Sequence, residues 1–240
     1  MTCCGNKNGL NVVLCHGAWL DASSSWGKIM PMLKEAGFNF YGMQFTNISL
    51  AEDAKLLVNL IEKLDGPVLL VGHSYGGSII TEAAYSCPKV RGLVYMAALA
   101  PDNDETVNGL LAKFPSKGIP ASIDNNGYLC MPCNQFSEYM CQDGGEQEKL
   151  ILDACQKPFL ARCFDDMQPH CAWKNMPTWY QISENDRVVP PELQKFFAKR
   201  MNAKVLSLPA SHVAGMAHFK QVGQFIIEAG HSVISNKPQQ

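Results

Sequence analysis

With 240 residues, hydrophobic side chains at 47% and charged ones at 18%, this chain has the make-up of an ordinary globule with enough apolar material for one large core. A net charge of −2, with no basic stripe and no Lys/Arg run interleaved with aromatics, leaves nucleic acid and anionic membrane surfaces without an electrostatic footprint. No apolar run reaches the length of a membrane span and the opening Met-Thr-Cys-Cys-Gly-Asn-Lys holds no leader-like apolar stretch, so the expected location is the cytoplasm.

In chain order, the first apolar run predicts a strand over 10–15 that ends in the turn His16-Gly17-Ala18-Trp19. A helix over 24–36, a strand over 38–43 and a helix over 50–64 follow. The run Val68-Leu-Leu-Val then stops at Gly72-His73-Ser74-Tyr75-Gly76, a serine with a glycine two residues to either side, and small and apolar residues over 78–86 predict a helix after it. A strand, a Gly-x-Ser-x-Gly turn and a helix are the three parts of a nucleophile elbow. The turn strains the serine backbone and lifts its hydroxyl above the sheet, while glycines replace side chains that would strike the neighbouring strand and helix. A further strand is expected over 90–97. After a long interval, in which helical stretches are expected over 146–156 and 158–167, come a strand over 178–183, a helix over 191–201, a strand over 203–208 and a helix over 217–230; the tail after Ser232 is expected to be loosely held. Alternation of this kind calls for a mostly parallel sheet covered by helices on both faces.

A serine is a weak nucleophile until a base takes its proton and a third group orients that base. Elbow enzymes place nucleophile, acid and histidine in that chain order, on loops at the carboxyl edge of the sheet. Asp186, in the polar turn after the 178–183 strand, fits the acid, and His212, in Pro-Ala-Ser-His-Val after the 203–208 strand, fits the base. Asp102, in an Ala-Pro-Asp turn, is the rival acid; His218 falls inside the expected last helix; His73 is expected to turn its ring away from the Ser74 hydroxyl. The tetrahedral oxyanion of acyl transfer needs two backbone N–H donors, assigned to Tyr75, just after the serine, and Ala18 in the early loop. His16 is expected to brace that loop rather than to react.

Ten cysteines are many for a chain read as intracellular. Cys130, Cys133, Cys141, Cys155, Cys163 and Cys171 fall in one region and Cys130-Met-Pro-Cys133 has C-x-x-C spacing, but no second such pair follows, so thiols without a metal are expected and no cofactor is assigned.

The His-Gly-Ala-Trp segment, the elbow, the Asn185-Asp186-Arg187 turn and the Ser211-His212-Val213 loop together resemble the α/β-hydrolase superfamily over nearly the whole chain. Within it, the short length and the opening His-Gly-Ala-Trp resemble the branch of plant methylesterases, hydroxynitrile lyases and small bacterial and fungal esterases. The resemblance implies one α/β-hydrolase domain over 1–240, with a helical cap inserted at about 101–176 whose Met131, Phe136, Met140, Phe159, Phe164 and Trp173 would either line the substrate pocket or pack the core. It implies a cofactor-free serine hydrolase acting on a small to medium carboxylic ester or lactone, of unassigned oligomeric state. Hydroxynitrile lyases of that branch carry threonine and lysine where this chain has Gly17 and Val213, which favours hydrolysis. A lyase, a cofactor-free peroxidase, a slowly turning ligand receptor and a non-enzymatic scaffold remain the alternatives.

Overall fold

The computed structural model describes residues 9–115 and 118–235. In chain order its strands and α-helices are β1 (Asn11–Cys15), α1 (Ala22–Trp26), α2 (Met30–Glu35), β2 (Asn39–Gly42), α3 (Leu50–Lys63), β3 (Val68–His73), α4 (Gly76–Ala83), β4 (Val90–Met96), α5 (Val107–Lys113), β5 (Ser122–Ile123), β6 (Leu129–Cys130), α6 (Phe136–Met140), α7 (Glu146–Ala154), β7 (Thr178–Ser183), α8 (Pro191–Arg200), β8 (Lys204–Leu208), α9 (Ala214–Ala217) and α10 (Phe219–Ser235). Six strands form a parallel sheet in the order β2-β1-β3-β4-β7-β8, and β5 and β6 pair separately as a small antiparallel ribbon.

Side chains alternate across a strand, so each central strand feeds two cores. Val12 and Leu14 of β1 pack with Trp26, Leu33, Val222 and Ile226 on one face. Val13 and Cys15 pack with Leu57, Ile61, Ile79 and Ile80 on the other. Burial on both faces explains why the central strands read as unbroken apolar runs. In α3 the buried Leu50, Ala54, Leu57 and Ile61 recur at helical spacing, and the Ser49 side chain caps its first turn by accepting from the Glu52 N–H at 3.3 Å.

Four expectations needed correction. The helix expected over 24–36 is two helices, because Pro31 has no N–H to give and its ring would strike the carbonyl four residues back, so α2 starts afresh there. Residues 158–167 hold one 3₁₀ turn, Ala161–Phe164, instead of a longer helix. Here the backbone is spent on distant partners: the Leu160 N–H bonds to Asn47 O at 3.0 Å and the Ala161 N–H to Gly127 O at 3.0 Å. The last helical stretch starts earlier, as α9, and breaks at His218. It also runs on to Ser235 with Val233 buried, so its end is packed and not loose. The amino-terminal segment read for a leader, with Cys3 and Cys4, and the last five residues lie outside the described residues.

The turn from β3 into α4 is where backbones come closest. A Cβ on Gly72 would lie 2.6 Å from Gly76 O, and one on Gly76 would lie 2.6 Å from Cys15 O and 2.7 Å from His16 O. These neighbours are main chain and cannot swing aside. Gly76→Ala is therefore expected to lower stability by about 1–3 kcal/mol, read as a drop in the urea midpoint at unchanged m. An unchanged midpoint would show that β1 and α4 can separate without cost.

Candidate active site

The chain leaves β1 to one side to form β2 and returns on the other to form β3, so the carboxyl ends of β1 and β3 border the crevice where ligands bind in parallel sheets. Two loops meet there, one after Cys15 and one after His73, in register through the Cys15↔Gly72 pair. Ser74 stands between them with φ at +53°, a left-handed conformation that costs a serine about 1–3 kcal/mol. Its carbonyl accepts from the Gly77 and Leu99 N–H groups, both at 3.0 Å, and its own N–H donates to Met96 O at 3.2 Å. Gly17 abuts it so closely that a Cβ there would fall 2.6 Å from Ser74 Cβ. Among the described residues, the hydrogen bonds of these turns leave out the N–H groups of Ala18 and Tyr75.

Asp186 and His212 come from the turns after β7 and β8 and meet below the surface. Their side chains are fully buried, and His212 Nδ1 lies 2.7 Å from Asp186 Oδ2. A carboxylate accepts, so Nδ1 carries the proton and donates; Nε2 keeps its lone pair and has no hydrogen-bond partner among the described residues. The carboxylate is itself held on all sides. Oδ1 accepts from the Val188 and Val189 N–H groups at 2.7 and 2.9 Å, and Oδ2 also accepts from Gln194 Nε2 at 2.8 Å.

Two residues support the pair: Gln194, missed in the sequence, and His73, expected from the sequence as a structural histidine. Gln194, fully buried in α8, donates to both Asp186 and Val189 O and accepts from the Ser183 N–H at 2.9 Å. Its signal was available: it is a polar residue among the buried Leu193, Phe197 and Ala198. His73 does more than point away from the serine hydroxyl, for its Nε2 donates to the His212 carbonyl at 2.9 Å and its ring lies 4.6 Å from the His212 ring. It thus ties the elbow to the histidine loop.

The rivals lie elsewhere. Asp102 pairs with Lys174 and accepts from the Asn103 N–H at 2.7 Å. His218 sits at the break between α9 and α10, 3.4 Å from Asp143. His16 braces its loop as expected. Because the Phe45 N–H donates to Nε2 at 3.0 Å, the ring proton is on Nδ1, which donates to Gly17 O at 2.8 Å. Burial lowers its pKa to about 4 and holds that of His73 well below the usual range.

Over the elbow, Trp19 packs against Phe136, Phe159 and Phe164, and Tyr75 against Phe159 and Phe164. Trp173 does not join them; its indole donates to Pro101 O at 3.1 Å and lies under Arg200. An open cavity of about 950 Å³ borders Asp186, Arg187 and Ser211, and Ser74 is not among its lining residues. The eight described cysteines are free thiols. Burial pushes Cys141, Cys163 and Cys171 up to about 12, so they stay protonated and unreactive. Among the described residues no three His, Cys, Asp or Glu side chains converge as metal ligands.

Residues 12–240 match the family model described as the alpha/beta hydrolase family. Methylesterase 2 of Arabidopsis thaliana is 31% identical over 222 residues, which cover 80% of this chain and 82% of that protein. A pyrethroid hydrolase of Sphingobium wenxiniae is 28% identical, over 84% of this chain and 81% of its own. Among solved structures, a pyrethroid hydrolase from Sphingobium faniae JZ-2 superposes with a TM-score of 0.81 at 19% identity, over 92% of this chain and 98% of that one.

The burial of His16 and His73 has a consequence for stability. A ring held neutral in the fold but protonated when unfolded leaves stability intact above the unfolded pKa of about 6.5 and removes it as the pH falls from there toward 4. For His16 the loss should approach roughly 3 kcal/mol at pH 4. Urea midpoints between pH 7 and 4.5 should fall steadily, and His16→Gln should flatten part of that slope; a slope untouched by the substitution would count against the assignment.

Proposed function

The chain belongs to the α/β-hydrolase family, and from that premise we propose that it is a serine hydrolase cleaving small to medium carboxylic esters or lactones through Ser74, His212 and Asp186. The observation that carries this reading is the buried Asp186–His212 hydrogen bond, which fixes the tautomer and leaves Nε2 as an unpartnered base. In the proposed mechanism Nε2 takes the Ser74 hydroxyl proton as the oxygen attacks the ester carbonyl. Asp186 stabilises the imidazolium, and the Ala18 and Tyr75 N–H groups receive the oxyanion. His212 then returns the proton to the departing alcohol, and water, activated by the same ring, resolves the acyl-enzyme. No step calls for a cofactor or a metal.

Residues 101–176 act as a cap on this one domain, with Trp19, Phe136, Phe159 and Phe164 shaping the space above the elbow. That its relatives are named esterases, methylesterases and hydrolases supports ester hydrolysis over other uses of the fold. Free thiols in number support a reducing, cytoplasmic setting, and among the described residues no helix is long and apolar enough to cross a membrane.

Ser74→Ala should cut kcat on p-nitrophenyl and methyl esters by at least about three orders of magnitude with the fold intact. His212→Ala should match it, and the double variant should be little worse than either, whereas His218→Ala should be mild. Normal turnover by folded Ser74→Ala protein would exclude the acyl-enzyme, and cyanide release from a cyanohydrin without ester turnover would move the assignment to a lyase.

The acid is tested separately. Asp186→Asn should cost orders of magnitude in kcat because an amide can hold the imidazole in the wrong tautomer. Asp102→Asn, which loses only the charge facing Lys174, should leave the pH–rate profile unchanged. The reverse pattern would reassign the acid to the turn after β4.

A further inference from the structure

Asp186 and His212 sit on different loops, which meet directly where the Asn185 N–H donates to Ala210 O and Asn185 Nδ2 to Pro209 O, both at 3.0 Å. One short stretch of the β4–β7 insertion, residues 138–143, is bonded to both loops and to both sides of each residue. Before Asp186, the Asn185 carbonyl accepts from Gln142 Nε2 at 2.7 Å; after it, Arg187 Nη1 donates to Glu138 O at 2.8 Å. Before His212, the Ser211 N–H donates to Asp143 Oδ2 at 2.8 Å; after it, the Val213 N–H donates to Met140 O at 2.9 Å.

The stretch is itself anchored. Phe136, Met140 and Cys141 are wholly buried, and Asp153 holds the start of α6 by accepting from the Ser137 N–H at 2.7 Å and its hydroxyl at 2.9 Å. Only two of the four bonds depend on side chains of this stretch, Gln142 and Asp143. Of these, Asp143 serves the residue next to the base. Ser211 is fully buried, so loss of the carboxylate removes the bond that ties its N–H to this stretch and frees the loop to shift.

We infer that residues 138–143 form a brace across the two loops and that Asp143 is a positioning residue for His212. Its role runs through the Ser211 N–H and not through substrate, and the inference rests on the proposed hydrolase reading. Asp143 also faces His218 Nε2 at 3.4 Å, so the test has to separate hydrogen bond from ion pair. Asp143→Asn does this, because the amide oxygen still accepts from Ser211 while the charge is gone.

Two readouts on the full chain decide the matter: steady-state kinetics on a p-nitrophenyl ester, and the downfield proton resonance of the His212 Nδ1–H, identified by its absence in His212→Ala. Asp143→Ala should lower kcat by about 10- to 100-fold through a displaced base, leave KM within about twofold, and broaden the resonance through exchange with water. Asp143→Asn should restore most of both. Wild-type kcat and resonance in Asp143→Ala would overturn the brace, and equal damage in Asp143→Asn would overturn the hydrogen-bond role in favour of the pair with His218. Should Asp143→Ala fail to fold, Gln142→Ala gives the same readouts on the acid side, and an unaltered resonance there would again overturn the brace. If the wild-type protein cleaves no ester but its resonance still depends on Asp143, the brace stands and the hydrolase reading falls.

Discussion

At the carboxyl edge of β1 and β3, three stretches of main chain lie closer than any side chain would allow. Gly76 rests on the carbonyls of Cys15 and His16, Gly72 on the backbone of Gly76 and Gly77, and Gly17 on Ser74 itself. The left-handed serine is a product of that crowding, since β3 must turn into α4 within a few residues while staying paired to β4. Once the turn is made, the Ser74 carbonyl is consumed by Gly77 and Leu99, and the hydroxyl is the part of the residue still free for chemistry.

Around this turn the electrostatics are set by buried rings. His16, His73 and His212 are all shielded from water, and each has a proton position that its partners dictate: the Phe45 N–H leaves His16 protonated on Nδ1, the His212 carbonyl requires Nε2–H on His73, and Asp186 requires Nδ1–H on His212. The same burial that disfavours charge on His16 and His73 strengthens each hydrogen bond they make. His212 differs in having a carboxylate against it, so a positive charge formed there during reaction would be met by Asp186, whose remaining lone pairs are satisfied by Val188, Val189 and Gln194.

The segment between β4 and β7 shares the apolar core on one face of the sheet and adds polar contacts with the loops at its edge and aromatic contacts with the early loop. Trp19 shows both at once: its ring meets Phe136, Phe159 and Phe164, and its indole N–H donates to Leu129 O at 2.6 Å. Its backbone has positive φ, +63°, and its carbonyl accepts from the Lys157 N–H at 2.8 Å. The loop that is expected to supply one oxyanion donor is thus shaped by the segment above it.

What could be read from the sequence is what local chemistry sets. The apolar run Val68–Val71 and the strand-like stretch Thr178–Ser183 marked buried strands, and glycines two residues to either side of Ser74 marked a turn that admits no Cβ. The turn residues after β7 and β8 marked Asp186 and His212, because polar loops that follow buried strands must come out at one edge of a parallel sheet. What the chain could not reveal depends on meetings between distant residues. The helix expected over 158–167 was lost because its backbone bonds to Asn47 and Gly127; helix propensity is worth only tenths of a kcal/mol per residue and yields to such bonds. His73 and Asp143 have ordinary neighbours in sequence, and their value comes from partners 139 and 68 positions away. The sequence by itself therefore determined the strand–turn–helix at Ser74 and singled out Asp186 and His212 as the candidate acid and base, since each reading rests on residues adjacent along the chain. Only the tertiary structure decided which polar groups hold them in place, because a buried hydrogen bond is specified by where two loops meet in space.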